Sequence, residues 1–329
     1  MGKVVAGKLD YPICPLKHEQ TTSVHASQIF RSGNLRLPFT LRDAMVLLML
    51  AMATEVLPQD GVEAIDSRDN RIRLSAPAKR IVSLAPGITE LLFEAGAGAR
   101  VVGADDASDF PPVAKAIPRV GNSMAINLEQ VAALRPDLVI AWPHGAAQRQ
   151  MAGLRALGVP VFLADPDSID AIANTLILLG SLAGTNDVAS KQAGALRVTA
   201  RRISSEHQGQ QSISAYVQIW DHPLMTINGR HLISNALQLC GIRNVFAADQ
   251  RLTPTPGREA VIASDPQSII LLAGSTQASV WKQEWSRFPR LRAVRAGAIA
   301  AIDPDMLARP TSRLLDGVSQ VCNALRRYR

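Results

Sequence analysis

Two stretches of this chain spell one pattern twice. Glu129-Gln130-Val131-Ala132-Ala133 leads to Pro136 and then to Val139-Ile140. Glu259-Ala260-Val261-Ile262-Ala263 leads to Pro266 and then to Ile269-Ile270, each position 130 residues on from its mate. Further along, Gly158 with Asp165-Pro166 is echoed by Gly297 with Asp303-Pro304. Apolar matches are cheap, but glutamate, proline and paired β-branched residues held in one register are not. A duplicated unit implies two similar bodies, and 329 residues leave room for two domains.

Each copy sits in an alternation of apolar strand-like and helix-like runs. In the first half the strands are expected at 81–84, 101–103, 138–142 and 161–164, and the helices at 89–95, 128–134, 146–157 and 169–182. In the second half the strands are expected at 215–219, 244–246, 269–273 and 298–302, and the helices at 231–240, 259–263 and 313–325. Such alternation implies an α/β protein whose sheets are mostly parallel and flanked by helices.

One long helix separates the halves. Between Asn186 and His207 the small or apolar residues Ala189, Ala193, Leu196, Ala200 and Ile203 recur in steps of four and three, with charged residues between them. Its stripe is thin and Ala-rich, which suits a strut laid across two lobes. The expected organisation is a leader at 1–53, a lead-in at 54–78, an amino-terminal lobe at 79–184, the linking helix at 185–209 and a carboxy-terminal lobe at 210–329. Ligands of parallel sheets bind beyond the carboxyl ends of the strands, so two lobes face to face enclose a cleft. A strut without proline allows only small opening motions.

Residues 44–53 form a continuous apolar run after Arg36 and Arg42, ending in Ala51-Met52-Ala53. The run is short for a bilayer and fits the core and cleavage site of a secretory signal. On that reading residues 1–35 come from a start codon placed too far upstream, and the mature chain begins near Thr54. No Cys follows the run, so no lipid anchor is expected there. Of the three cysteines, Cys14 falls in the leader, which leaves Cys240 and Cys322 on apolar helix faces. They are either a bridge or two buried thiols. The net charge of +7 is not gathered into a basic stripe, which argues against nucleic acid as a partner.

Four strings then carry a resemblance: KRIVSLAPGITELLFEAGAGARVVGADDASDFPP from Lys79, NLEQVAALRPDLVIAW, NGRHLISNALQLCGIRNVF and GREAVIASDPQSIILLAG. They resemble the helical-backbone (class III) periplasmic binding proteins of ABC importers, in particular the cobalamin-binding branch. The resemblance implies a monomer in the periplasm. It implies as partners an importer permease with its ATPase subunits, and a corrinoid ligand that carries its own cobalt, with no separate cofactor or metal. It implies that Glu129 and Glu259 dock into arginine-rich pockets of the permease. As plain helix glutamates, both also suit the first-turn dipole. It implies a disulfide between Cys240 and Cys322. It implies ligand contacts from Trp142, Asp305 and Arg309, with Trp220 as a counterpart in the second lobe; Asp305 and Arg309 are otherwise a surface i,i+4 pair. Three aromatic positions of that branch are replaced by Ala107, Ser123 and Thr253, leaving Phe110 or Trp220 to supply stacking area.

Other functions fare less well. An iron–siderophore or haem receptor on the same scaffold has Arg230, Arg258 and Arg309 for an anionic ligand. A bare-metal receptor has only His144, His222 and Asp305, with no ligand spacing. No Walker loop, G-x-S-x-G elbow or H-E-x-x-H motif is present, so no enzyme is expected.

Overall fold

Strands that are buried at nearly every position form the centres of two sheets, as parallel strands covered on both faces must. The computed structural model describes residues 61–329, so the expected leader lies outside the described residues. The lead-in is not featureless. Strands β1 (Val62–Ile65) and β2 (Arg71–Leu74) pair antiparallel. The Asp66 carboxylate closes their turn by accepting from the backbone N–H groups of Arg68 and Asn70 at 2.8 and 2.9 Å. The alternation in VEAI and RIRL was the signal for this hairpin.

The first lobe holds β3 (Ile81–Ser83), β4 (Val101–Ala104), β5 (Leu138–Ala141) and β6 (Val161–Leu163) in the order β4-β3-β5-β6, all parallel. The second lobe begins with β7 (Ile213–Gln218), followed by a small antiparallel ribbon of β8 (Trp220–Asp221) and β9 (Leu224–Met225). Then come β10 (Ile242–Asn244), β11 (Ser268–Leu272) and β12 (Ile299–Ile302), and the parallel sheet has the order β10-β7-β11-β12. The two orders are the same permutation. The repeat also extends to the backbone: Arg135 and Asp265, each before its proline, have φ of +44° and +37°. Helices Leu128–Ala133 and Arg258–Ser264 lead into the matching strands β5 and β11.

The helix Asn186–His207 buries the five residues of its stripe: Ala189, Ala193, Leu196, Ala200 and Ile203. It packs on helices Ile169–Ala183 of the first lobe and Arg313–Leu325 of the second. Its stripe belongs to one apolar cluster that includes Ile81 and Leu138 of the first sheet and Ile213 and Val217 of the second. The strut therefore lies on a core shared by both lobes. Val139 and Ala141 face a second cluster, and Ile269 and Leu271 a third, on the far sides of the sheets. At Gly180 a Cβ would collide with the Cβ of Ala189, so the two long helices approach as closely as they do because position 180 has no side chain. Gly180→Ala is expected to destabilise the fold by about 1–3 kcal/mol through overpacking, read as a lower Tm with unchanged secondary structure by circular dichroism.

Some elements depart from expectation. The helix expected at 146–157 breaks into Gly145–Arg149 and Met151–Ala156 at Gln150. The Gln150 side chain bonds the backbone N–H and C=O of Ile126 at 2.8 and 3.0 Å, which ties the break to a neighbouring loop. Strand β10 ends at Asn244 where a strand was expected to begin, because the Asn244 side chain accepts from Phe246 N and donates to Ile227 O, turning the chain. Helix Ser275–Ser286 buries Ala278, Trp281 and Trp285, a helical spacing half hidden by polar neighbours. Cys240 and Cys322 are joined by a disulfide, with Cα atoms 6.0 Å apart. Among the described residues no helix is long and apolar enough to cross a membrane.

Candidate ligand-binding cleft

Chain leaving the carboxyl ends of β3, β5 and β6 forms one wall of a cavity of about 890 Å³. Ala85–Pro86 follows β3, Trp142 follows β5 and Asp165 follows β6. The opposite wall comes from the second lobe: Arg230–Leu232 at the start of helix Leu232–Leu237, Leu252–Thr253, and Ala308–Pro310. The cavity thus lies between the lobes, at the strand ends where parallel sheets bind ligands.

Trp142 lines this cavity and is 44% exposed, so its indole face is free to pack on a ligand. Its N–H donates to Asp165 Oδ1 at 2.9 Å, and the other carboxylate oxygen lies 3.0 Å from His144 Nε2. His231, on the opposite wall, is largely buried, and burial pushes its imidazole below the usual range. Its Nδ1 accepts from Ile233 N.

Arg309 lines the cavity, but its guanidinium is already engaged. It donates to Glu90 at 2.7 Å, Asp109 at 2.8 Å and Asp305 at 2.7 Å. Burial disfavours the charged guanidinium, and the bonds to Glu90 and Asp109 more than offset that, so its pKa is raised. The same bond from Arg309 holds the Asp109 carboxyl below its usual range. Glu90 is buried and also accepts from Arg313 and from the Thr311 hydroxyl, both at 3.1 Å. Nearby, the Ser312 hydroxyl donates to Glu94 at 2.7 Å, a carboxyl raised by burial. This network fastens residues 305–313 of the second lobe to helix Pro86–Glu94 and the loop through Asp109 of the first. Asp305 and Arg309 are therefore more than a surface i,i+4 pair. Asp305 itself is not among the cavity-lining residues. Sequence reasoning missed Glu90. Its signal was a carboxylate set among Ile88, Leu91 and Leu92 on a helix, since a charge in a buried run needs a partner.

The other expected residues divide between the cavity and the rest of the surface. Trp220 is exposed on the β8–β9 ribbon and is not among the cavity-lining residues, because the chain turns back at Asp221–Pro223 immediately after it. Phe110 lies beneath the Arg313 guanidinium, 4.1 Å from its ring centroid, and not on the cavity wall. Of the three replaced aromatic positions only Thr253 reaches the cavity. Arg258 pairs with Glu284 at 3.6 Å, whereas Arg230 is exposed at the cavity with no carboxylate partner among the described residues. His144, His222 and Asp305 are not brought together, and no cluster of three or more metal-ligating side chains exists among the described residues. Glu129 and Glu259 are both exposed in the first turns of their helices, one on each lobe.

Comparison with known proteins matches this geometry. A family model for periplasmic binding proteins covers residues 81–306. The vitamin B12-binding protein of Vibrio cholerae serotype O1 is 34% identical over 254 residues, 76% of this chain and 90% of its own. The crystal structure of the periplasmic vitamin B12 binding protein BtuF of Vibrio cholerae aligns with a TM-score of 0.71 over 77% of this chain and 98% of that one. A periplasmic heme binding protein from Pseudomonas aeruginosa aligns with a TM-score of 0.66 at 25% identity, over 75% and 92% of the two chains. Two parallel-sheet lobes on one long helix, a cleft between them and these matches together make the chain a member of the periplasmic binding protein family, a transport carrier of the ABC-importer type and not an enzyme.

Proposed function

We propose that the cleft captures cobalamin (vitamin B12) or a related corrinoid, and that Glu129 and Glu259 then dock the loaded protein onto its importer permease. The observation that carries the ligand reading is the exposed Trp142 face on the wall of an inter-lobe cavity, in a chain 34% identical to a vitamin B12-binding protein over nearly all of that protein. The cavity volume of about 890 Å³ is at the large end for small-molecule sites, which suits a macrocycle whose edge projects from the cleft. The docking reading rests on two exposed, symmetry-related glutamates, one per lobe. Export by a cleaved leader that ends at residue 53 puts the carrier in the periplasm, where it works as a monomer.

Titration of the purified protein with cyanocobalamin in a calorimeter should give saturable 1:1 binding, with a Kd of about 1 μM or lower. Trp142→Ala should weaken it about tenfold by removing the stacking face. Absence of heat at high micromolar cyanocobalamin would shift the reading to a haem or siderophore ligand. That second reading is favoured by the likeness to the Pseudomonas aeruginosa heme binding protein and by Arg230 at the cavity, which has no carboxylate partner among the described residues.

A further inference from the structure

One carboxylate organises the polar end of the first-lobe wall. Asp165 accepts the Trp142 indole N–H on one oxygen and meets His144 Nε2 on the other, at 2.9 and 3.0 Å. The two rings pack with centroids 4.5 Å apart and planes 53° apart. All three residues line the cavity, and the His144 side chain is 42% exposed. An ionised carboxylate can only accept. The neutral imidazole must therefore carry its hydrogen on Nε2, which leaves the lone pair on Nδ1. Among the described residues nothing donates to Nδ1. This corner of the cleft presents acceptors: the Nδ1 lone pair and the spare lone pairs of Asp165. Such a surface favours ligand N–H groups and disfavours ligand carboxylates.

We infer that His144 is a specificity-determining residue that accepts a hydrogen bond from a carboxamide N–H of the ligand, with Asp165 as its positioning residue. The inference rests on the corrinoid reading and deepens it. A corrinoid is fringed with neutral carboxamides, whereas haem presents propionates. The Trp142 face packs on the ring system, and His144 beside it reads the fringe. A hydrogen bond of this kind changes affinity by roughly tenfold.

The test compares two probes by calorimetry. Dicyanocobinamide carries the carboxamides; heptamethyl dicyanocobyrinate carries methyl esters in their place and offers no N–H. Cyanide fills both axial positions of each, so no side chain reaches the cobalt. The wild-type protein should prefer the carboxamide probe by about tenfold. His144→Phe should abolish that preference by weakening dicyanocobinamide alone. His144→Gln, whose side-chain oxygen is an acceptor, should retain most of it. Asp165→Asn is the positioning test. The Trp142 indole is donor-only and claims the amide oxygen, so the amide N–H₂ faces His144 Nε2 and drives the hydrogen to Nδ1. That variant should lose the preference while keeping ester affinity and Tm, which a merely structural role of Asp165 does not predict. If the wild type binds both corrinoids equally, or the preference survives in His144→Phe, the assignment of His144 is overturned while the corrinoid reading stands. If the wild type binds neither, the corrinoid reading falls and this inference with it.

Discussion

A protein with both Glu129→Ala and Glu259→Ala will bind its ligand as tightly as the wild type and will not support uptake. Both glutamates are exposed in the first turns of short helices, and neither forms an ion pair with a side chain among the described residues. Neither lines the cleft. Removing them leaves no unsatisfied partner behind, so the expected stability change is a few tenths of a kcal/mol from lost dipole interaction. At an interface the same carboxylates behave differently. A desolvated ion pair that loses one member costs about 2–5 kcal/mol, so two lost together weaken docking by at least about a thousandfold. Single variants should retain partial uptake, because each lobe keeps or loses its own anchor. The measurement is growth or radiolabelled uptake dependent on the carrier, paired with calorimetry on the same variants. Normal uptake by the double variant, or lost ligand affinity, would show that these carboxylates serve something else.

Much of the fold was legible because its signals are local and periodic. The buried stripe of helix Asn186–His207 coincides with the five residues picked by spacing. The offset repeat located β5 and β11 together with the helices before them. What was not legible depends on contacts distant in sequence. Glu90 and Arg309 are 219 residues apart, and no local pattern says that one buries its charge against the other. Arg309 thus reads from sequence as a ligand contact or as half of a surface pair with Asp305, while in the structure it is also part of an inter-lobe fastening. Trp220 is absent from the cavity wall for a different reason: strand β7 ends one residue before the β8–β9 ribbon begins, and a shift of one residue decides which way a strand-end side chain faces. His144 and Asp165 were each visible, but their pairing appears only when β5 and β6 are laid side by side. The repeat and the long helix implied the cleft and the family resemblance named residues for it, while the polar chemistry inside it came from the fold.

Replacing Glu90 should have the largest effect on stability of any single polar substitution in the cleft region. Its side chain is 1% exposed and accepts three hydrogen bonds, from Arg309, Arg313 and Thr311. In Glu90→Ala, Arg309 retains Asp109 and Asp305, but Arg313 loses the one carboxylate it pairs with among the described residues. Removing one member of a buried ion pair costs about 3–5 kcal/mol, because the remaining charge is left without compensation. For a protein of this size that corresponds to a fall in Tm of roughly 10 °C. Glu63, paired with Arg71 and Arg73 on the exposed hairpin, is the internal control, since surface pairs of this kind are worth about 0–1 kcal/mol. Glu90→Gln separates charge from hydrogen bonding: with its one oxygen in the place of Oε1 it can still accept from Arg309 and Arg313, while its N–H₂ can donate to the Thr311 hydroxyl, so its loss should be smaller than that of alanine. Unfolding should stay a single transition in both variants, because the apolar core runs unbroken beneath the long helix from Ile81 to Val217 and does not depend on the polar fastening. Scanning calorimetry decides the matter. A shift no larger than that of Glu63→Ala would mean the network is electrostatically idle. Two separate transitions would mean that the charges, and not the shared core, hold the lobes to one another.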